Sequence, residues 1–401
     1  MLQDRILKRI EARLKRECLP VAVRLWNGET VNGTDAPCVT LALNSPSSLR
    51  LFIKPDLTTW AESYLKQDID IYGNIQDIMR LLTPLFRGTT THVTRWRDSF
   101  QFFRHSRLRD RKAIRHHYDL SNDFYSLWLD RQMVYSCAYF RTQQDSIDGA
   151  QEQKLDHLCK KLLLRRGERL LDIGCGWGAL MFWAAEKYGV YCEGITLSEQ
   201  QYTFVKEQID LRGLSDQMRV HLRDYRDLAE DRLFDKIVSV GMFEHVGVSM
   251  LPTYFKKMFS LLRPGGVVMN HGVTSAALDG KRASTGNDFV ERYVFPDGEL
   301  THISHVLDVM ARQDFEILDV ESLRRHYART LWHWVTRLES KQMEARRLVG
   351  EEKYRTWRAY LSGFAYAFEQ GWNNIYQILA AKPLADGVID YPMTREHVYR
   401  S

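Results

Sequence analysis

From about residue 150 the chain alternates between two hydrophobic periods. Short apolar runs at Arg169–Ile173, Tyr191–Ile195, Met218–Leu222, Lys236–Val240 and Val267–His271 read as buried strands. Between them, Gln151–Leu163, Ala179–Lys187, Ser198–Arg212 and Pro252–Leu262 carry apolar residues every third or fourth position. Strands alternating with helices of this length predict an α/β domain with a mostly parallel sheet. Local punctuation agrees. Ser198 and Gln201 have the spacing of a capping box, and Pro264-Gly265-Gly266 closes the last of these helices. The rhythm breaks between Ser275 and Leu300. Two long helical patterns follow, Tyr327 to Arg347 and Glu351 to Glu369, before a final strand near Ile375–Ala380.

Residues 20 to 85 have another texture. Val21–Leu25, Val39–Leu43 and Leu49–Ile53 are short strand patterns, and Asn27-Gly28 is a hairpin-type turn signal. Asp56 to Lys66 and Asn74 to Leu82 read as helices, the second opened by Asn74 with Asp77 three residues on. The expected division is a small α+β unit over 1–86, a linker over 87–115 and an α/β domain over 116–401. The last carries a helical insertion at about 274–370.

Charge changes the picture in one place. The chain of 401 residues has a formal net charge of only +5, yet Arg87 to His117 holds nine Lys/Arg against Asp98 and Asp110. Trp96, Phe100, Phe102 and Phe103 are interleaved with those cations. Such a stretch suits an anionic membrane surface, RNA or a solvated inter-domain helix. No apolar run approaches the ~20 residues of a transmembrane helix. The six cysteines are scattered without metal-ligand spacing, so no metal site is expected and reduced thiols in the cytoplasm are the simplest account.

The first strand of the α/β domain runs into Asp172-Ile173-Gly174-Cys175-Gly176-Trp177-Gly178. Glycines at alternate positions let the backbone approach a ligand, and the following helix turns its unpaired N–H groups toward it. The spacing is G-x-G-x-G, unlike the dinucleotide and phosphate-loop patterns. It resembles the first motif of S-adenosylmethionine-dependent methyltransferases. In an open α/β sheet the ligand lies at the carboxyl ends of the strands. There the sequence offers Thr196, Leu197 and Gln201 after the second strand and Asp224, Tyr225 and Arg226 after the third. Glu244 follows the fourth strand, and His271 and Val273 end the fifth.

Two flanking segments complete the pattern. HHYDLSNDFY (116–125) and YSCAYF (135–140) lie upstream, and Tyr327 lies downstream. Together with LLDIGCGWG, GITLSEQQ, RDYRDL and SVGMFEHVG, in this order, they resemble the cyclopropane fatty acid synthases over about 116–380, and are similar to the shorter mycolic acid methyltransferases. That resemblance implies a Rossmann-like class I methyltransferase fold with a small lipid-binding-like N-terminal domain. It implies transfer of the methyl carbon of S-adenosylmethionine to a cis double bond of a phospholipid acyl chain, then deprotonation to close a ring. It leaves open methyl branching or another methylation of an unsaturated lipid, and a non-enzymatic lipid-binding scaffold on the same fold. The implied cofactor residues are Tyr135, Ser136, Asp172, Gly174, Cys175, Gly176, Trp177, Gly178, Thr196, Leu197, Gln201, Asp224, Tyr225 and Arg226. A bicarbonate base would be held by Cys137, Glu244, His271, the backbone at Val273, and Tyr327. The implied partner is a phospholipid bilayer, met peripherally on the inner face of the cytoplasmic membrane. No nucleic acid is implied, and a homodimer remains open. Where several relatives carry a cysteine in the C-terminal helices, this chain has Phe364 within Leu361-Ser362-Gly363-Phe364-Ala365, so a thiol there is not needed.

Overall fold

Seven strands form the larger sheet, in the order β10-β11-β9-β8-β5-β6-β7. The computed structural model describes residues 2–53, 57–86, 120–231, 233–278 and 299–399. Strands β5 (Arg169–Ile173), β6 (Tyr191–Thr196), β7 (Met218–Leu222), β8 (Phe234–Val240) and β9 (Leu262–Ser275) run parallel to one another. β11 (Asn373–Ala381) enters between β9 and β10 (Glu316–Ser322) and is antiparallel to both. The chain reverses sheet direction beside β5, which leaves a crevice at the carboxyl ends of β5 and β8. This is the mostly parallel α/β sheet that the alternating periods predict, in the Rossmann-like class I arrangement that the resemblance implies.

A separate four-stranded sheet, β2-β1-β3-β4, is built from Val21–Arg24, Thr30–Asn32, Val39–Leu43 and Ile69–Tyr72. Here one expectation fails. Leu49–Ile53 is helical: Pro46–Leu49 forms a 3₁₀ turn and Arg50–Ile53 an α-helical turn, α2. A five-residue apolar run has no period long enough to separate strand from helix, and Ser45 followed by Pro46 starts a helix. The fourth strand is Ile69–Tyr72 instead. α1 (Leu2–Arg16) precedes this sheet, and α3 (Leu57–Leu65) and α4 (Ile75–Phe86) follow α2. Asn74 caps α4 by accepting from the Gln76 amide at 2.8 Å.

The basic aromatic stretch 87–115 lies outside the described residues, as do residues 116–119 and 279–298. Beyond them come α5 (Asn122–Ser126), α6 (Ile147–Lys161), α7 (Ala179–Trp183), α8 (Glu199–Leu211) and α9 (Leu251–Leu261). α10 (Ile303–Ala311), α11 (Arg324–Ser340) and α12 (Gln342–Glu369) complete the larger helices. The stretch 274–370, expected as helical, also contains β10. Its Glu-Ile-Leu-Asp-Val-Glu-Ser sequence mixes polar and apolar positions, as suits a half-exposed strand at the sheet edge. α12 breaks at Gly350, whose φ of 80° is not helical.

Helix α12 ties the two sheets together. Arg355, almost fully buried, donates to the Tyr64 and Ile69 carbonyls at 2.9 and 3.2 Å and pairs with Glu351 and Asp70. Arg358 donates to the Tyr64 hydroxyl at 2.8 Å and pairs with Glu339. Among the described residues, no helix is long and apolar enough to cross a membrane.

Candidate cofactor and catalytic site

The crevice at the strand ends is a cavity lined by Tyr135, Ser136, Asp172, Gly174, Cys175, Gly176, Trp177, Thr196, Leu197, Gln201, Asp224, Tyr225 and Arg226. The three glycines of the turn all have positive φ: 82° at Gly174, 56° at Gly176 and 81° at Gly178. Their roles divide. A Cβ on Gly176 would meet no protein atom within 4 Å and would project into the open side of the turn. A Cβ on Gly178 would lie 3.0 Å from Phe182 and 3.1 Å from Val205. Gly178 does not line the cavity; it lets α7 and α8 pack against the turn.

The second strand end is organised by short hydrogen bonds. Thr196 Oγ1 donates to Gln201 Oε1 at 2.8 Å and accepts from the Ser198 amide at 3.1 Å. Ser198 caps α8 by accepting from the Gln201 amide. The carboxamide nitrogen of Gln201 is thereby left as a donor at the cavity. At the third strand end, Asp224 accepts from the Arg226 amide and Nε at one oxygen and from Nη2 at the other, at 2.6 to 2.9 Å. Burial pushes the Asp172 carboxyl up to about 7, against the opposing effect of Lys154.

Loop 133–140 closes the cavity from the other side. Asp130 accepts from the Val134 amide, Gln151 donates to the Val134 and Ser136 carbonyls, and Thr330 accepts from the Ala138 amide. Met133, Val134, Lys154, Gly241, Met242 and His245 also line the cavity, and the sequence reading missed them. Lys154 carried a signal. Gln151, Lys154, His157 and Lys161 recur on one face of α6, and all four are buried.

None of Cys137, Glu244, His271, Val273 and Tyr327 lines the cavity; all five are buried behind it. Backbone pairing gathers four of them. Val273 on β9 pairs with Ile375 on β11, whose carbonyl accepts from the Leu323 amide at 2.9 Å. The Leu323 carbonyl in turn accepts from the Tyr327 amide at 3.0 Å and lies 3.9 Å from Cys137 Sγ. Glu244 Oε1 accepts from the Val273 amide at 3.0 Å. His271 lies two residues before Val273 on β9, so both point to one face of the sheet.

Electrostatically this group is unusual. Glu244 Oε2 and His271 Nε2 are buried with no hydrogen-bond partner among the described residues. Burial pushes the Glu244 carboxyl up to about 7 and the His271 imidazole down to about 3. Burial also holds the Cys137 thiol far above its ordinary value, so it is neutral. A wall of aromatic rings joins this group to the cavity. Tyr135 is 5.3 Å from Trp334, which meets Tyr327 edge-on at 6.1 Å. Trp128 is 5.6 Å from Trp334, and Tyr125 is 5.0 Å from Trp177.

Comparison with known proteins decides the family. Residues 105–378 match the mycolic acid cyclopropane synthetase family. The chain belongs to this family. Residues 11–85 match a second family, described only as a domain of unknown function. A relative in Pseudomonas putida, named as a probable fatty acid methyltransferase, is 44% identical and covers 95% of this chain and 97% of its own. The cyclopropane-fatty-acyl-phospholipid synthase of Escherichia coli K12 is 35% identical, covering 68% of each chain. The solved structure of a cyclopropane synthase from Mycobacterium tuberculosis is 34% identical, with TM-score 0.65, covering 68% of this chain and 98% of that one. A mycolic acid cyclopropane synthase solved with SAH and CTAB superposes with TM-score 0.64 at 34% identity, covering 67% of this chain and 97% of that one. The fold is that of an S-adenosylmethionine-dependent methyltransferase.

Two outcomes follow from this geometry. Gly176→Val should abolish binding of S-adenosylhomocysteine in calorimetric titration, while cooperative melting persists with a loss of only ~1–2 kcal/mol for the left-handed conformation. Near-normal affinity in the folded variant would contradict the assigned cavity. The second concerns pH. Because the folded-state carboxyl of Glu244 holds its proton up to about 7, its ionisation costs stability as pH rises from the unfolded value toward 7. Glu244→Gln removes that dependence. Its melting temperature relative to the wild type, in bicarbonate-free buffer, should therefore climb between pH 4.5 and 7 and then level off. A difference that does not vary with pH would mean that Glu244 is solvated.

Proposed function

We propose that this protein transfers a methylene bridge from S-adenosylmethionine across a cis double bond of unsaturated phospholipid acyl chains, forming a cyclopropane ring. The observation that carries this reading is the position of two partnerless buried polar atoms, Glu244 Oε2 and His271 Nε2, behind an aromatic wall that begins at the cofactor cavity. Ring closure needs both parts. An alkene is a weak nucleophile, so the methyl donor must be held close and in line, which can contribute ~7–11 kcal/mol. Methyl transfer leaves a carbocation that water would trap, so the surroundings must be dry. The faces of Trp334, Tyr135 and Trp128 exclude water and interact favourably with positive charge.

A proton must then leave the transferred methyl group. The residues behind the aromatic wall fit a small planar anion. His271 is neutral and keeps an unpaired ring nitrogen, while Glu244 retains a proton near neutral pH and can donate it in a hydrogen bond from Oε2. We assign Cys137, Glu244, His271, the Val273 backbone and Tyr327 to holding bicarbonate, which when bound supplies the proton acceptor. The cavity residues from Tyr135 to Arg226 bind S-adenosylmethionine, with Gln201 and Asp224 offering a donor and an acceptor at the second and third strand ends. The acyl chain is drawn from the inner leaflet, with the basic aromatic segment 87–115 as the peripheral membrane contact.

A second reading keeps the same first step and resolves the cation by loss of a proton from the acyl chain, which leaves a methyl-branched alkene. It is favoured by the Pseudomonas putida relative, whose name specifies fatty acid methylation. Gas chromatography of acyl methyl esters from cells expressing the protein separates ring from branch. For the base, Glu244→Ala should cut turnover by ~10²–10⁴ while leaving S-adenosylmethionine affinity largely unchanged. Wild-type turnover should fall when bicarbonate is purged and recover when it is restored. Full activity in decarbonated buffer would reject the bicarbonate assignment.

A further inference from the structure

Helix α6 buries four polar side chains on one face, and three of them have evident partners. Gln151 holds the carbonyls of Val134 and Ser136. His157 and Lys161 both reach Glu321, at 2.8 and 2.6 Å, and Lys161 also lies 3.4 Å from Asp319. Lys154 is the exception. The residue is 2% exposed and its ammonium donates to Ser136 Oγ at 3.0 Å, but it takes part in none of the ion pairs among the described residues. The two carboxylates whose charge it feels are Asp130 and Asp172. Asp130 is committed to the amides of Gln132 and Val134.

The side chain of Lys154 opens onto the cofactor cavity, next to Ser136, Asp172 and Gly174. A buried cation without a counter-ion is costly, by several kcal/mol. Burial lowers the ammonium pKa to about 8, so the charged form still predominates at neutral pH. S-Adenosylmethionine and S-adenosylhomocysteine carry a single anionic group, the carboxylate of their amino-acid moiety. The same moiety carries an ammonium, and Asp172 is a buried carboxyl lining the same cavity as Lys154.

We propose that Lys154 recognises the cofactor's carboxylate, and that Lys154 and Asp172 together form a buried clamp for the zwitterionic end of the ligand. This rests on the assignment of the cavity to S-adenosylmethionine and makes Lys154 a specificity-determining residue within it. It also gives a reason for the charge on this turn of α6. The ligand completes an ion pair that the fold leaves open, so the amino-acid end is selected as well as the nucleoside.

The test compares S-adenosylhomocysteine with its decarboxylated analogue, S-adenosyl-3-thiopropylamine, by calorimetric titration. Wild type should prefer S-adenosylhomocysteine by ~10–100-fold, the usual worth of a hydrogen bond to a charged group. Lys154→Gln, which keeps a donor for Ser136, should lose most of that preference while binding the analogue within about threefold of wild type. Equal binding of the two ligands by wild type would overturn the proposal, whether or not the variant folds. So would a variant that weakens both ligands alike, because Lys154 would then act by holding loop 133–140. Failure of wild type to bind either ligand would instead overturn the cavity assignment, and the clamp with it.

Discussion

Removing polar groups from water is the constraint on which this structure turns. A neutral group buried without partners costs about 1–3 kcal/mol, and an ion costs several. The fold accepts that cost at a few adjoining places. Along α6 it is offset by partners: Gln151 fastens loop 133–140, and His157 and Lys161 fasten β10 through Glu321. Those bonds place Tyr135 and Ser136 over the glycine turn and close the cavity. At Lys154, Glu244 and His271 the offset within the protein is incomplete. All three are positions where a ligand would supply what the chain does not.

The aromatic rings make this economy workable. Phe124, Tyr125, Trp128, Tyr135, Trp334 and Trp357 pack with centroids 5.3 to 6.2 Å apart, an apolar wall that runs from the cavity toward Tyr327. Tyr327 and Phe368 extend the wall at 4.8 Å, and Phe364 adds to it at 6.1 Å from Phe368. Phe364 is therefore a packing residue on α12, consistent with a chemistry that asks for no thiol there.

Much of this was legible in the sequence, for physical reasons. Strands β5 and β8 and the second half of β9 are buried on both faces, whereas β7, Met-Arg-Val-His-Leu, is half-exposed at the sheet edge. The glycine turn is legible because positive φ at Gly174 and Gly176 demands the residue type itself. What stayed hidden depends on tertiary context. Leu49–Ile53 is too short to show a period, and β10 is a half-exposed edge strand whose register shift breaks any clean alternation. Gly178 looked like a ligand contact, but its missing Cβ serves Phe182 and Val205. Lys154 was passed over because a lysine on a charged helix normally faces solvent. Only its recurrence with Gln151, His157 and Lys161 marked a buried stripe.

The central claim is that the proposed carbocation forms in a dry pocket and loses a proton from the newly transferred carbon. It is tested most directly with S-adenosylmethionine carrying a fully deuterated methyl group, supplied to the enzyme with vesicles of cis-unsaturated phospholipid. Mass spectrometry of the product acyl chains then counts the deuterons on the added carbon. The account predicts a bridge that keeps two deuterons, with no solvent hydrogen added to the chain. An added carbon that keeps all three would mean that the cation loses a proton from the acyl chain instead, leaving a methyl branch beside a double bond, and that Glu244, His271 and their neighbours do not serve ring closure.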